Sequence, residues 1–379
     1  MATSEAAYAA LPPVVLPVPT KTVDVAKPAA HCCVEAGHFA LVSASPLPGA
    51  DAFLATLNAV LADLFVRDLR CVHSPQLLSG TRITVYAPCA APGLAFPVPP
   101  GPGAAAYGGN GKIVLGPVDA PLAAWVAVKD AVHELTHNLV GARDRALNEC
   151  IASFCANLAL VRMGMRPDYA PTLAGFKQYF DNAHVALDRY AYVGGPQDLF
   201  AYAAWYPLQY VNDRHGIKAV ACVLARLAAG APFFDAVVTA LATTPRAFMA
   251  EYVSDVVSLS ALPRPRAGQW NAFVKTATSS EGVVTPAWGA RSLQWRGLAV
   301  VDLSAHRGKT AEWTLEPAEF AQDLFVVAFR DGAPRGTRFG ARGSVRIGDG
   351  GTTWLAIAGC GSHPTPPTFA IRLTSRAAA

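Results

Sequence analysis

The chain has 379 residues, 52% of them apolar and only 15% charged. That balance excludes a disordered or polyelectrolyte chain and supplies material for two or three domains. Its 31 basic and 27 acidic residues leave a net charge of +4, too small and too dispersed for the concentrated basic footprint of a nucleic-acid binder. No apolar run reaches the ~20 residues that a membrane span needs. Glu5 stands near the N-terminus, no basic residue precedes Lys21, and Pro12, Pro13, Pro17 and Pro19 interrupt the apolar stretch. This is not the pattern of a secretory signal, so the expectation is a soluble protein, intracellular or exported by another route. The eight cysteines do not define a disulfide frame in so long a chain. Cys150, Cys155 and Cys222 fall in apolar helical patterns and read as buried thiols.

Residues 1–35 are rich in proline and alanine and read as an extended or poorly ordered arm. His38–Ala44 has strand composition, and Asp51–Arg70 repeats Phe53, Leu57, Val60, Leu61, Leu64 and Phe65 at helical spacing. Arg82–Ala87 alternates like a strand. Lys112–Gly116 is another, preceded by the glycine-rich Tyr107–Gly111, which reads as mobile. Between Pro121 and Val140, Trp125, Val128, Val132, Leu135 and Leu139 mark one buried helical face, and Gly141 reads as its C-cap. A second helix is expected over Arg145–Met163, from Leu147, Ile151, Phe154, Leu158 and Val161. Further helices are expected over Asp198–Arg214, Ile217–Ala228, Pro232–Ala242 and Pro245–Leu259. The character changes after Leu262. Residues 263–284 read as a linker, and 285–379 as an antiparallel β-sandwich with strands at Leu298–Leu303, Ala311–Leu315, Leu324–Phe329, Ser344–Ile347, Thr353–Ala358 and Phe369–Leu373.

One motif carries chemistry: His133-Glu134-Leu135-Thr136-His137. Histidines four apart on a helix project on one side, one turn above the other, so both imidazoles can reach a single ion. Glu134 lies about 100° around the axis, where it can take a proton from metal-bound water without occupying a coordination position. A catalytic zinc also needs a third protein ligand. Glu149 lies about one turn into the following helix, as His137 lies about one turn before the end of its own. A tight reversal at Gly141–Asp144 would bring the two turns face to face. Asp144, reaching back from the loop, is the rival ligand.

HELTH with the downstream pair Asn148-Glu149 resembles the gluzincin branch of HExxH zinc metallopeptidases, the thermolysin-like or peptidase-MA-like group. The resemblance implies a zincin-like domain over residues 36–262 within an α+β fold. It implies one catalytic zinc ion held by His133, His137 and Glu149, with Glu134 as general base. It also implies a cleft-lining edge strand that pairs with an extended substrate, placed at Lys112–Gly116. The segment Tyr202–Gly216, followed by a helix, is similar to the helical C-terminal half of gluzincin-like proteins, some of which also end in a β-sandwich. Where the NExxSD pattern has serine and aspartate, this chain has Ala152 and Ser153. The carboxylate that orients a ligand histidine must then come from elsewhere, and Asp130 is a substitute by position.

The expected function is hydrolysis of peptide bonds in a peptide or protein substrate, through water activated by zinc and Glu134. Tyr190, Tyr192, Tyr202, Tyr206, Tyr210, His184 and His215 are placed as oxyanion donors or as packing residues. The aromatic residues of the C-terminal segment suit either a sandwich core or a face for carbohydrate or another surface. The second reading is an inactive metallopeptidase-like scaffold with a binding or structural role.

Overall fold

The computed structural model describes residues 2–22, 32–87, 107–115, 122, 124–140, 145–165, 205–258, 282–284, 298–303, 307–316, 324–330, 333–339, 342–347, 353–359 and 370–377. The fold is α+β, in two units: Met1–Tyr169 with Val211–Pro232, and Ala170–Tyr210 with Phe233–Ala379. No helix among the described residues is long and apolar enough to cross a membrane.

The first unit opens with a helix, α1 (Ala2–Ala9), where the sequence suggested an extended or poorly ordered arm. Its alanines favour the helix, and long-range bonds hold it. The Tyr8 hydroxyl donates to the Arg67 carbonyl at 2.6 Å, and the Arg70 guanidinium stands 4.2 Å from the Tyr8 ring centroid and donates to the Leu11 carbonyl at 2.8 Å.

The sheet of this unit is mixed. β1 (Lys21–Thr22), β2 (Cys32–Ala36), β3 (Phe39–Ser43), β4 (Thr81–Tyr86), β5 (Tyr107–Gly109) and β6 (Lys112–Val114) build it. The order is β2-β3-β4-β6-β5, with β1 paired to the start of β4. β3, β4 and β6 run parallel, and the outer strands β2 and β5 run antiparallel to their neighbours. Every residue of β3 and the last four of β4 are buried, which accounts for their nearly continuous apolar runs. The edge strand on this side of the sheet is therefore β5, and not Lys112–Gly116 as the family resemblance implied: β6 lies between β4 and β5. Tyr107–Gly111, expected as a glycine-rich entry, forms β5 and the turn into β6. Asn110 and Gly111 form a two-residue turn at φ 53° and 78°, the positive values that an Asn-Gly hairpin of type I′ requires.

α2 (Ala50–Val60) buries Phe53, Leu54, Leu57 and Val60 and runs on as a π-helical segment, Leu61–Asp68. A short helix, α3 (Pro75–Leu78), precedes β4 and is capped by Ser74. α4 (Trp125–Leu139) turns Val128, Val132, Leu135 and Leu139 into the core, as its periodicity predicts, but Trp125, expected on the same buried face, starts the helix and is exposed. α5 (Arg145–Arg162) is buried at every position from Ile151 to Leu160, so it is a central helix rather than an amphipathic surface one. α6 (Tyr206–His215) is divided between the two units after Tyr210, α7 (Ile217–Ala228) belongs to the first, and Lys218 on α7 donates to Glu5 of α1 at 2.7 Å.

The second unit holds α8 (Phe233–Ala240), α9 (Pro245–Ser258) and two antiparallel sheets. The strands are β7 (Gly282–Val284), β8 (Leu298–Asp302), β9 (Lys309–Glu316), β10 (Leu324–Arg330), β11 (Ala333–Phe339), β12 (Arg342–Arg346), β13 (Thr353–Gly359) and β14 (Ala370–Ala377). Their orders are β11-β10-β13-β8 and β12-β9-β14-β7. The units do not divide at the change of composition near Leu262, because α9 packs on β10, β11 and β13 and joins the β-rich part. β7 and β11 lie where the sequence analysis expected a linker and turns. β11 contains Pro334 and Gly336 and lies at the edge of its sheet, the place where a strand tolerates proline. Much of the expected linker lies outside the described residues.

Candidate metal centre

α4 carries His133 and His137 on one side, one turn apart, with ring centroids 4.9 Å from each other and planes at 81°. α5 packs against α4 and supplies Glu149. One oxygen of that carboxylate, Oε2, lies 3.0 Å from His133 Nε2 and 3.4 Å from His137 Nε2. One donor atom from each of the three side chains falls within 4.8 Å of the others, and this is the group among the described residues that could hold a metal ion. Two imidazole nitrogens and one carboxylate oxygen match the donor chemistry of a catalytic zinc with an open position. The trio predicted from the spacing of HELTH and Glu149 is therefore brought together. Asp144, the rival ligand, lies outside the described residues.

The electrostatics follow from burial. Desolvation pulls both histidines down; in His133 it prevails, helped by the charge of His137. In His137 the hydrogen bond and charge of Glu149, with the charge of Glu134, overcome it, and its pKa stands above the ordinary value. Burial pushes Glu149 up, but the two imidazoles outweigh it and hold the carboxyl at about 2. Glu149 thus stays ionised as a ligand must. Glu134 is buried beside the trio without belonging to it. Desolvation pushes its carboxyl up to about 7, with Glu149 and Asp130 adding to the shift.

The neighbours fix this arrangement. Asn148 is close enough to His137 to favour its charged form, although its buried Oδ1 completes no hydrogen bond. Asp130, the substitute considered for orienting a histidine, sits 3.6 Å from Lys129 Nζ and acts on Glu134 through its charge. Thr136 turns its hydroxyl back to the Val132 carbonyl at 2.8 Å. Tyr206 and Tyr210 belong to an aromatic cluster with Phe248 and Tyr252 in the second unit. Tyr190, Tyr192, Tyr202 and His184 lie outside the described residues.

Sequence reasoning missed Asn138, the residue after the second histidine. Its Oδ1 accepts from the Gly111 N–H at 2.8 Å, and its Nδ2 donates to the Lys112 carbonyl at 3.1 Å and the Glu134 carbonyl at 3.0 Å. The one signal in the sequence is a carboxamide directly after the motif, where an exposed polar residue would read the same way. No protein-family model and no curated protein matches the chain.

Proposed function

We propose that the chain is a zinc-dependent peptidase of the gluzincin type, with the first unit as a zincin-like catalytic domain. The observation that carries this reading is the convergence of His133, His137 and Glu149 on one point, with the carboxyl of Glu134 buried next to them. His133, His137 and Glu149 would hold one zinc ion, which supplies Lewis acidity toward a carbonyl and makes solvent at the site more acidic. The Glu134 carboxylate takes the proton of the attacking water and passes it to the leaving amine. Glu149 keeps its charge, as a metal ligand must. β5 is one of the two edge strands of the sheet, on the side of β6, and an extended peptide adds to such an edge through backbone hydrogen bonds. The two four-stranded sheets of the second unit are read as a β-sandwich that contributes a binding face for substrate or another surface.

The test is cleavage of a mixed peptide pool by purified protein whose zinc content is measured in parallel. The expected result is about one zinc per chain, with cleavage that a chelator abolishes and added zinc restores. Absence of zinc, or cleavage that persists without it, overturns the reading. Stoichiometric zinc with no cleavage across several pH values leaves the inactive scaffold in its place.

A further inference from the structure

β5 has only three residues, and two of them are Gly108 and Gly109. It pairs with β6 through Tyr107↔Val114, Gly108↔Ile113 and Gly109↔Lys112. So short a hairpin has no stability of its own. Glycine in a strand also marks a place where another backbone approaches closely. The edge that is best suited to receive a peptide is thus the least able to hold itself in place.

Asn138 supplies what the hairpin lacks. A carboxamide offers an acceptor and two donors on one plane, and all three functions are used. Two reach the hairpin at Gly111 and Lys112, and one returns to the Glu134 carbonyl on the same helix. Gly111 is gripped from both sides, because its carbonyl also accepts from the Thr84 N–H of β4 at 2.9 Å. Asp cannot donate, and Leu of similar volume leaves the Gly111 N–H and Lys112 carbonyl without this partner.

We propose that Asn138 is a positioning residue for substrate: its carboxamide fixes the β5–β6 hairpin to the helix that carries His133, Glu134 and His137, and so sets where the edge of β5 holds an extended peptide relative to the three converging side chains. This rests on the peptidase reading, and on β5 as the substrate-pairing edge.

The test compares full-length wild-type protein with Asn138→Leu, Asn138→Asp and Asn58→Leu, each loaded with zinc. Asn58 makes a similar carboxamide contact to the β2–β3 hairpin, so its loss serves as the structural control. Zinc content, amide hydrogen exchange over residues 107–114 and anisotropy of a dye-labelled heptapeptide pool are read on each. Asn138→Leu is expected to speed exchange at Gly111 and weaken peptide binding, each about tenfold, with zinc content unchanged. Asn138→Asp keeps the acceptor for Gly111 and loses both donors, so it should weaken peptide binding with a smaller change in Gly111 exchange. It also keeps the test open should the leucine variant not fold. Asn58→Leu should speed exchange at His38 and leave peptide binding as it was. Peptide binding equal in all variants overturns the inference, as does unchanged exchange at Gly111 in Asn138→Leu. A wild-type protein that holds zinc but binds no peptide overturns it by removing the reading beneath it.

Discussion

Two hairpins stand at opposite edges of the first unit's sheet, and a helix asparagine grips each one. At the β2–β3 turn, Asn58 Oδ1 accepts from the His38 N–H at 2.9 Å. Its Nδ2 donates to the Ala36 carbonyl at 2.9 Å and to Leu54, four residues back, at 2.8 Å. At the β5–β6 turn, Asn138 takes the N–H of the second turn residue in the same way and donates to Glu134, again four residues back. They differ in which strand they reach, Asn58 the one before its turn and Asn138 the one after. They differ more in what occupies the position four residues earlier. On α2 it is Leu54, fully buried; on α4 it is Glu134, also buried. The scaffold is thus repeated, and chemistry is added on one side only. Burial that stabilises the first helix is spent on an ionisable group in the second.

The sharpest way to separate the two edges is to remove the chemistry and keep the shape. Glu134→Gln should lower peptide turnover by about 10³-fold while zinc content stays the same, measured by progress curves with metal analysis. Equal activity in that variant would remove Glu134 from the mechanism and make the two edges alike. The next effect is on stability. Leu54→Ala opens a cavity and should cost about 2–5 kcal/mol. Glu134→Leu, which makes α4 match α2, should stabilise the chelator-treated protein by about 1–3 kcal/mol. Calorimetry of both variants checks the opposite signs.

A smaller effect tests the grip on the β2–β3 turn. Gly37 has φ 53°, and a Cβ there would stand 2.3 Å from Asn58 Oδ1. Gly37→Ala should therefore cost about 1–3 kcal/mol and leave zinc binding untouched, read by thermal unfolding and metal titration. The smallest effect concerns the tie between the π-helical segment after α2 and the end of α5. Asp68 accepts from Arg67 at 3.0 Å and from Arg162 at 2.5 Å. Burial raises its carboxyl, but the two guanidinium groups outweigh burial and hold it below the ordinary value. A depressed carboxyl stabilises above the unfolded carboxylate range and loses that contribution as the pH falls through its folded pKa. Asp68→Asn should then cost about 0.5–1 kcal/mol at neutral pH. Unfolding midpoints of variant and wild type should converge in acid.

The legible parts of the chain were those where one helix decides the answer alone. The steps from Val128 to Leu139 predict the buried face of α4, although Trp125 at its start is exposed, and i, i+4 geometry puts His133 beside His137. Glu149 needed only a short reversal between two helices. The long helix expected over Asp51–Arg70 keeps its apolar face but changes to π-helical bonding at Leu61, which side-chain periodicity does not encode. The edge of the sheet was misread because strand order is a nonlocal property. Lys112–Val114 has the stronger strand composition, yet pairing on both sides places it inside, and the glycine-rich Tyr107–Gly109 takes the edge. Asn58 and Asn138 escaped notice because a polar residue on a helix reads as solvated until the hairpin it grips is known.

The grip on α1 has a consequence for the order in which the chain assembles. Glu5 and its partner Lys218 are 213 residues apart. At ordinary rates of translation, α1 waits about 10–40 s before that partner has been made. Tyr8, bonded to Arg67, finds its first anchor much earlier. The helix nearest the start of this sequence is therefore docked in two instalments, and a nascent chain stalled between residues 70 and 218 should carry it half attached, open to a protease that the finished protein resists.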